Sequence, residues 1–477
     1  MTSGETVAAI VEAHRAGASP EASVARAYAR IRAHADPAIF ITLRDEAAAL
    51  AEAKALAARR AADRALADLP LYGVPVAVKD NIDVEGLPTT AACPAFAYTP
   101  AKDATCVARL RHAGAIVIGK TNLDQFATGL VGVRTPYGIA RNLFDPALIP
   151  GGSSTGSAIA VAAGLVPLAL GTDTAGSGRV PAALGNIVGL KPSLGLVSTA
   201  GVVPACRSID CVSVLALTVD DAFAALAAIA GFDNADPYSR RRSLGALKEV
   251  PRGARLGVPK PDQREFFGDR ASVAAYDDAL ARLARLGASI SEFDMAPFYE
   301  AARLLYEGPW VAERYLAART MMGAAPEAMH PVTRQIILAG AKISAADAFA
   351  AFYRLEELRH VCEATFRSMD AMALPTVPTV YTVEQVLADP VALNSRLGTY
   401  TNFVNLLDLC ALALPAAMRT DGTPFGITFV APAGEDAALA SIGRAFHAAT
   451  ALPLGATGAP QPALAQKARV SVKAGMS

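Results

Sequence analysis

Residues 150–181 of this 477-residue chain read PGGSSTGSAIAVAAGLVPLALGTDTAGSGRVP, and no other stretch restricts the fold as strongly. Two serine- and glycine-rich loops, GGSSTGS at 151–157 and GTDTAGSG at 171–178, are joined by an apolar run of small residues. Glycine at this density lets a backbone take positive φ and bring its N–H groups close to a ligand. The joining run is too apolar for a surface connection. Residues 158–163 suit a buried helix ending at Gly164, and 166–170 suit a buried strand. Both loops would then be anchored on rigid elements, as a reactive site requires. Flexible glycine turns are the bland alternative, but flexible linkers are rarely welded to an apolar core. A phosphate-binding loop needs Gly-Lys-Ser/Thr or Gly-x-Gly-x-x-Gly, and neither accompanies these glycines. Serine chemistry remains, and it needs a base.

Histidine offers none. The six histidines, His14, His34, His112, His330, His360 and His447, all lie outside the glycine loops, most in helical, charged surroundings where a solvent-facing or capping role is expected. Gly-x-Ser-x-Gly is absent, so a Ser-His-Asp triad lacks its components, and no His/Cys cluster has zinc-ligand spacing. Lysine is the remaining choice. Lys79 ends the apolar strand 74–78, among groups that should be buried. It could simply pair with Asp80 or Asp83. Alternatively, desolvation lowers its pKa so that it serves as a neutral base. By elimination the site is Ser-Ser-Lys.

The surrounding sequence has the texture of an α/β protein. Residues 3–68 read as helical, with Ser19-Pro20-Glu21 as a start signal and 47–66 as an exposed amphipathic helix. Strands are expected at 114–120, 187–193, 211–216, 256–259, 371–376 and 425–430, interleaved with helices at 104–110, 219–229 (closed by Gly231) and 271–286. From 301 to 370 the composition turns helical, with Met321, Met322 and Met329 as gap-fillers. Arg240-Arg241-Arg242, in an exposed connection over 233–252, reads as solvated surface, and 456–477 as a loose tail. Forty-four basic residues balance forty-four acidic ones, which argues against a nucleic-acid partner or a polybasic membrane patch. Six scattered cysteines without a Cys-x-x-Cys pair point to reduced, buried thiols. The N-terminus lacks the basic start of a signal peptide, and no apolar run spans a membrane. A cytoplasmic protein is expected.

Three motifs in order, GVPVAVKD at 73–80, GGSSTGS at 151–157 and GTDTAGSGRVPA at 171–182, resemble the amidase signature family over about residues 70–430. The resemblance implies an α/β fold with a central mixed β-sheet covered by helices on both faces. It also implies one amidase domain over 71–455, with 1–70 as a helical segment packed on it. Its catalytic lysine, its serine with a cis peptide bond and its nucleophilic serine carry over to Lys79, Ser153 and Ser177. Lys79 would take a proton through Ser153 and so activate Ser177. Backbone N–H groups of Thr174, Ala175, Gly176 and Ser177 would form the oxyanion hole. Ala175 stands where many members have glycine, which requires φ there to be negative. No cofactor and no metal are implied.

Within the family, further stretches resemble allophanate hydrolase: residues 80–83 with 88–94, 203–211, 306–314 and 393–402. That likeness implies release of ammonia from a small anionic amide, allophanate, with Gly129, Tyr306 and Arg314 binding the substrate. On helical spacing Tyr306 and Arg314 would share one face. Pairing of Arg314 with Glu313 or Glu307 is the alternative. An amidase acting on biuret or carboxybiuret, the amidase subunit of a tRNA-dependent amidotransferase, and a silent binding protein are the rival readings; a homodimer is the expected assembly. Allophanate hydrolases carry a second, C-terminal domain, and this sequence ends soon after the amidase match, so only the first deamination is expected.

Overall fold

Apolar alternation decides how the strands face. In the computed structural model, which describes residues 5–248 and 253–463, Val76 and Val78 join one buried cluster while Ala77 joins another. Likewise Ala371 and Ala373 face one side and Met372 and Leu374 the other. Successive side chains of a strand point to opposite faces, so a sheet with this pattern must be covered twice. Helices Thr105–His112, Val219–Ile229, Arg270–Arg285 and Asp436–Thr450 cover one face. Pro20–His34, Thr155–Ala162, Ala296–Glu307 and Ala345–Phe366 cover the other.

The strands are β1 (Phe40–Leu43), β2 (Pro75–Lys79), β3 (Ile116–Thr121), β4 (Leu168–Asp173), β5 (Val188–Lys191), β6 (Cys211–Ala216), β7 (Arg255–Pro259), β8 (Ser289–Phe293), β9 (Ala371–Pro375), β10 (Leu409–Met418) and β11 (Pro424–Pro432). They form one sheet in the order β1-β3-β2-β4-β6-β5-β10-β11-β9-β7-β8. β3-β2-β4 and β9-β7-β8 run parallel, and the other neighbours are antiparallel. The sheet is therefore mixed, as expected.

Three strands escaped the sequence reading. β1 has only four residues, and β8 (SISEF) is an edge strand with one buried side chain. β10 contains Pro415, which ordinarily argues against a central strand; here the register shifts between Pro415 and Ala417, where a missing N–H is tolerated. Other expectations hold in refined form. The helix expected over 219–229 forms as Val219–Ile229, with Ala230 as its C-cap and Gly231 next, at φ 141°. Arg240 and Arg242 both pair with Asp408, and Arg241 lies over the Phe232 ring, so the arginine run is surface, as expected, but paired rather than free. Ala456 donates its N–H to Ala162 O, attaching the start of the expected tail; 464–477 lie outside the described residues.

Candidate active site

β2 and β4 are adjacent and parallel, so their carboxyl ends open at the same edge, where ligands bind in open α/β sheets. Lys79 is the last residue of β2 and Thr172 lies near the end of β4. The Lys79 Nζ is 2.7 Å from Ser153 Oγ and 2.7 Å from Thr172 Oγ1, with no exposed surface. Burial lowers its pKa from the ordinary 10.5 to about 7, against the opposing pull of Asp124, Asp173 and Asp210. The simple ion pairs weighed for this lysine do not form. Asp80 instead pairs with Lys120 at 3.0 Å, and Asp83 accepts from Thr89 and Tyr98. Ser153 follows Gly152 through a cis peptide bond. Gly152 is obligatory there, because a Cβ would collide with the Asp124 carboxylate.

The second loop is built around one carboxylate. Asp173 accepts from Gly176 N–H at 2.9 Å and Gly178 N–H at 3.1 Å, and pairs through both oxygens with Arg179 at 2.9 Å. Burial alone would raise the Asp173 pKa, but the Arg179 guanidinium holds it below the usual carboxylate range. Asn405 bridges the Asp173 and Ile209 carbonyls, and Thr174 donates to Asp210 at 2.5 Å. Gly176, at φ 134°, packs so closely on Thr401 that a Cβ would lie 2.5 Å from its hydroxyl. Ala175 is absent from the positive-φ residues, which accommodates its methyl group. Of the four N–H groups expected to form an oxyanion hole, that of Gly176 is thus spent on Asp173. Those of Thr174, Ala175 and Ser177 have no acceptor among the described residues. The Ser177 hydroxyl donates to the Gly129 carbonyl at 3.4 Å. No hydrogen bond joins it to Ser153 among the described residues.

Tyr306 and Arg314 meet, though not along one helix face. Gly308 and Pro309 break the expected helix into Ala296–Glu307 and Trp310–Ala324, so the two residues come from successive helices. Arg314 Nη2 donates to the Tyr306 hydroxyl at 3.4 Å, and the guanidinium lies 5.2 Å from the ring centroid. Arg314 is buried and reaches Thr128 Oγ1 at 3.0 Å and Ala127 O at 3.4 Å, beside Gly129. Glu313 turns away to bind Ser208, and neither it nor Glu307 pairs with Arg314. A cavity of about 550 Å³ opens next to Tyr306, lined also by Tyr299, Arg303, Ser395 and Asn402.

Several contributors were not singled out in the sequence. Thr172, Asp173 and Arg179 sit inside or beside the quoted glycine motif, where buried charge was the available signal. Asp124 accepts three backbone N–H groups, from Val131, Gly132 and Arg134, and packs directly on the first loop, its own N–H donating to Ser153 O at 3.2 Å. Its residue type, in a polar loop after a strand, did not distinguish it. The histidines also depart from expectation: His14 is buried between Tyr72 O and Ser23, and His447 is buried with its pKa lowered to about 4 by desolvation. Neither lies at the site.

Comparison with known proteins identifies the family. The Amidase family model matches residues 22–440. The urea amidolyase of Saccharomyces cerevisiae is 49% identical over 381 residues, covering 79% of this chain and 21% of that protein. The chain thus spans about a fifth of the length of such relatives. A glutamyl-tRNA(Gln) amidotransferase subunit from Symbiobacterium thermophilum is 37% identical over 88% of this chain and 91% of its own. Among solved structures, Kluyveromyces lactis allophanate hydrolase superposes with a TM-score of 0.89 at 41% identity, over 96% of this chain and 75% of that one. The chain belongs to the amidase signature family, whose members are hydrolases of amide C–N bonds.

Proposed function

We propose that this chain hydrolyses a small amide bearing a carboxylate, with allophanate as the substrate, and that Lys79, Ser153 and Ser177 carry the reaction. The observation that carries the reading is the 2.7 Å approach of Lys79 Nζ to Ser153 Oγ in a dry site, with the amine's pKa near neutrality. A neutral amine there accepts the Ser153 proton while donating to Thr172. Ser153 in turn accepts the proton of Ser177 as the Ser177 oxygen bonds to the amide carbon. The carbonyl oxygen becomes an oxyanion held by the free N–H groups of Thr174, Ala175 and Ser177. The proton returns to the leaving nitrogen, the C–N bond breaks, and ammonia departs from an acyl-Ser177. Water, activated by the same relay, releases N-carboxycarbamate.

Substrate choice follows from charge. Arg314 is buried with no carboxylate partner within ion-pair reach among the described residues, so its planar fork is available to one on the substrate. Tyr306 lies against that guanidinium, and Gly129 packs so closely on Asp124 that a Cβ there would lie 2.7 Å from its carboxylate oxygen. The likeness to the yeast urea amidolyase and to the Kluyveromyces allophanate hydrolase supports this choice. The likeness to amidotransferase subunits along nearly their whole length favours a second reading, in which ammonia is passed to a partner.

Ammonia release by the purified chain from allophanate, biuret, malonamate and propionamide, offered in parallel, separates these readings. Allophanate is expected to be turned over without any partner, and Ser177→Ala to abolish release. Arg314→Ala should raise KM for allophanate at least tenfold more than for propionamide, a loss of about 1.4 kcal/mol or more of charge-assisted binding. Turnover by Ser177→Ala at the wild-type rate, or no release from any amide without added partner proteins, overturns the proposal.

A further inference from the structure

The segment at residues 127–129 offers three successive backbone carbonyls, each held by a different part of the chain. Arg314 donates to Ala127 O at 3.4 Å, Arg134 Nη1 to Thr128 O at 2.9 Å, and Ser177 Oγ to Gly129 O at 3.4 Å. Arg134 has no part in the chemistry described above. It is nonetheless 1% exposed, and it makes no ion pair among the described residues. A buried guanidinium is costly unless its geometry is used. Its second arm, Nη2, donates to Pro390 O at 2.5 Å, and its backbone N–H to Asp124 Oδ1 at 2.9 Å. Both arms are therefore spent on backbone carbonyls, and the remaining Nε has no acceptor among the described residues.

The two carbonyls belong to segments that both reach the 176–177 turn, the first through Gly129 O and the second through Thr401. Pro390 leads into Asn394, whose Oδ1 accepts from Leu130 N–H at 2.8 Å, and on to Thr401, which packs against Gly176. Gly129 has no side chain to orient its own peptide. Its carbonyl belongs to the Gly129–Leu130 peptide, whose N–H donates to Asn394, and Arg134 holds the oxygen of the peptide before it, so the carbonyl lies between two tied peptides.

We propose that Arg134 is a positioning residue for Ser177: by fastening the Thr128 carbonyl to the Pro390 carbonyl, it fixes the Thr128–Gly129 peptide, directly before the peptide whose carbonyl, Gly129 O, accepts from the Ser177 hydroxyl. A lysine, with a compact head, reaches one of those carbonyls but not both in a fixed fork. The inference rests on the assignment of Ser177 as the nucleophile.

The test compares the full chain with Arg134→Gln and Arg134→Lys. One readout is the rate at which phenylmethanesulfonyl fluoride modifies Ser177, located by mass spectrometry, which requires no knowledge of the substrate. The other is kcat and KM for allophanate and for propionamide. Because a misplacement of about 1 Å at a reacting atom costs on the order of 100-fold, Arg134→Gln should slow labelling and lower kcat for both substrates by about 10- to 100-fold, with KM within about twofold. Arg134→Lys should recover part of each rate. Labelling at the wild-type rate with only a lower melting temperature makes Arg134 merely structural and overturns the inference. A rise in KM confined to allophanate overturns it too, as that marks a substrate contact. Should Arg134→Gln fail to fold, Arg134→Lys decides alone, since it must still label more slowly than wild type. Absence of labelling in the wild-type chain strikes the nucleophile assignment itself, and this inference falls with it.

Discussion

Lys79 can act as a base only when it is uncharged, and its surroundings fix when that is. Burial favours the neutral amine, and the three nearby carboxylates restore only part of the lost basicity, leaving the pKa at about 7. Below that value the amine is protonated and cannot accept from Ser153. The profile of kcat/KM against pH should therefore have an acid limb near pH 7, falling tenfold per unit below it. Measuring ammonia release between pH 5 and 9 checks this, and a profile flat down to pH 5.5 excludes Lys79 as the base. An aspartate pair would have given a charged, inert lysine. Asp80 is instead occupied by Lys120, so the residue next in sequence is kept from pairing with Lys79 by a tertiary ion pair.

At the scale of the element, the 171–178 loop is a strand end folded back on its own side chain. Asp173 binds two N–H groups of the turn and the guanidinium of Arg179, which begins the next helix, Arg179–Leu184. Removing one partner of such a buried pair typically costs about 3–5 kcal/mol, because the other charge is left uncompensated. Asp173→Asn should thus lower the melting temperature markedly. Ammonia release should fall with it, even at temperatures where the variant is folded, since Gly176 and Gly178, on either side of Ser177, lose their anchor. A variant that melts like wild type with full turnover would show that the loop holds its shape without the carboxylate. The same pattern of carboxylate and N–H groups recurs at Asp124, against the Gly152–Ser153 loop, where Val131, Gly132 and Arg134 are gathered by one side chain.

Across the whole molecule, distant segments are joined by buried polar ties. Helix Val7–Arg15 begins with its N–H groups of Val7 and Ala8 donating to Asp221, 3.0 and 3.1 Å away and more than 200 residues along the chain. Burial lifts the Asp221 pKa to about 6, despite those two N–H groups. Between about pH 4 and 6 the folded chain therefore holds a proton that the unfolded chain has lost. Linkage then makes this group's contribution to stability fall as pH rises through that window. Asp221→Asn, which cannot titrate, should flatten the slope of unfolding free energy between pH 4 and 6; denaturant melts across that range test it, and an unchanged slope rejects the assignment.

How much of this was legible beforehand follows from the range of the forces involved. Glycine spacing, apolar alternation and the order of the motifs are local properties, and they carried the mixed α/β architecture, the family, and the identity of Lys79 as a buried lysine at a strand end. The strands that escaped notice, β1, β8 and β10, lack a local signature: one is too short, one lies at an edge, and one contains a proline that only its bulge makes tolerable. Tyr306 and Arg314 could be named from their motif, but a helix break at Gly308 and Pro309 determines how they meet. The sequence by itself determined which residues are available for proton transfer and where the backbone can bend. Only the tertiary structure decided which N–H groups stay free for an oxyanion, which carboxylate takes which cation, and which carbonyl holds Ser177. Those choices depend on distances between segments far apart in the chain, and no local pattern encodes a distance.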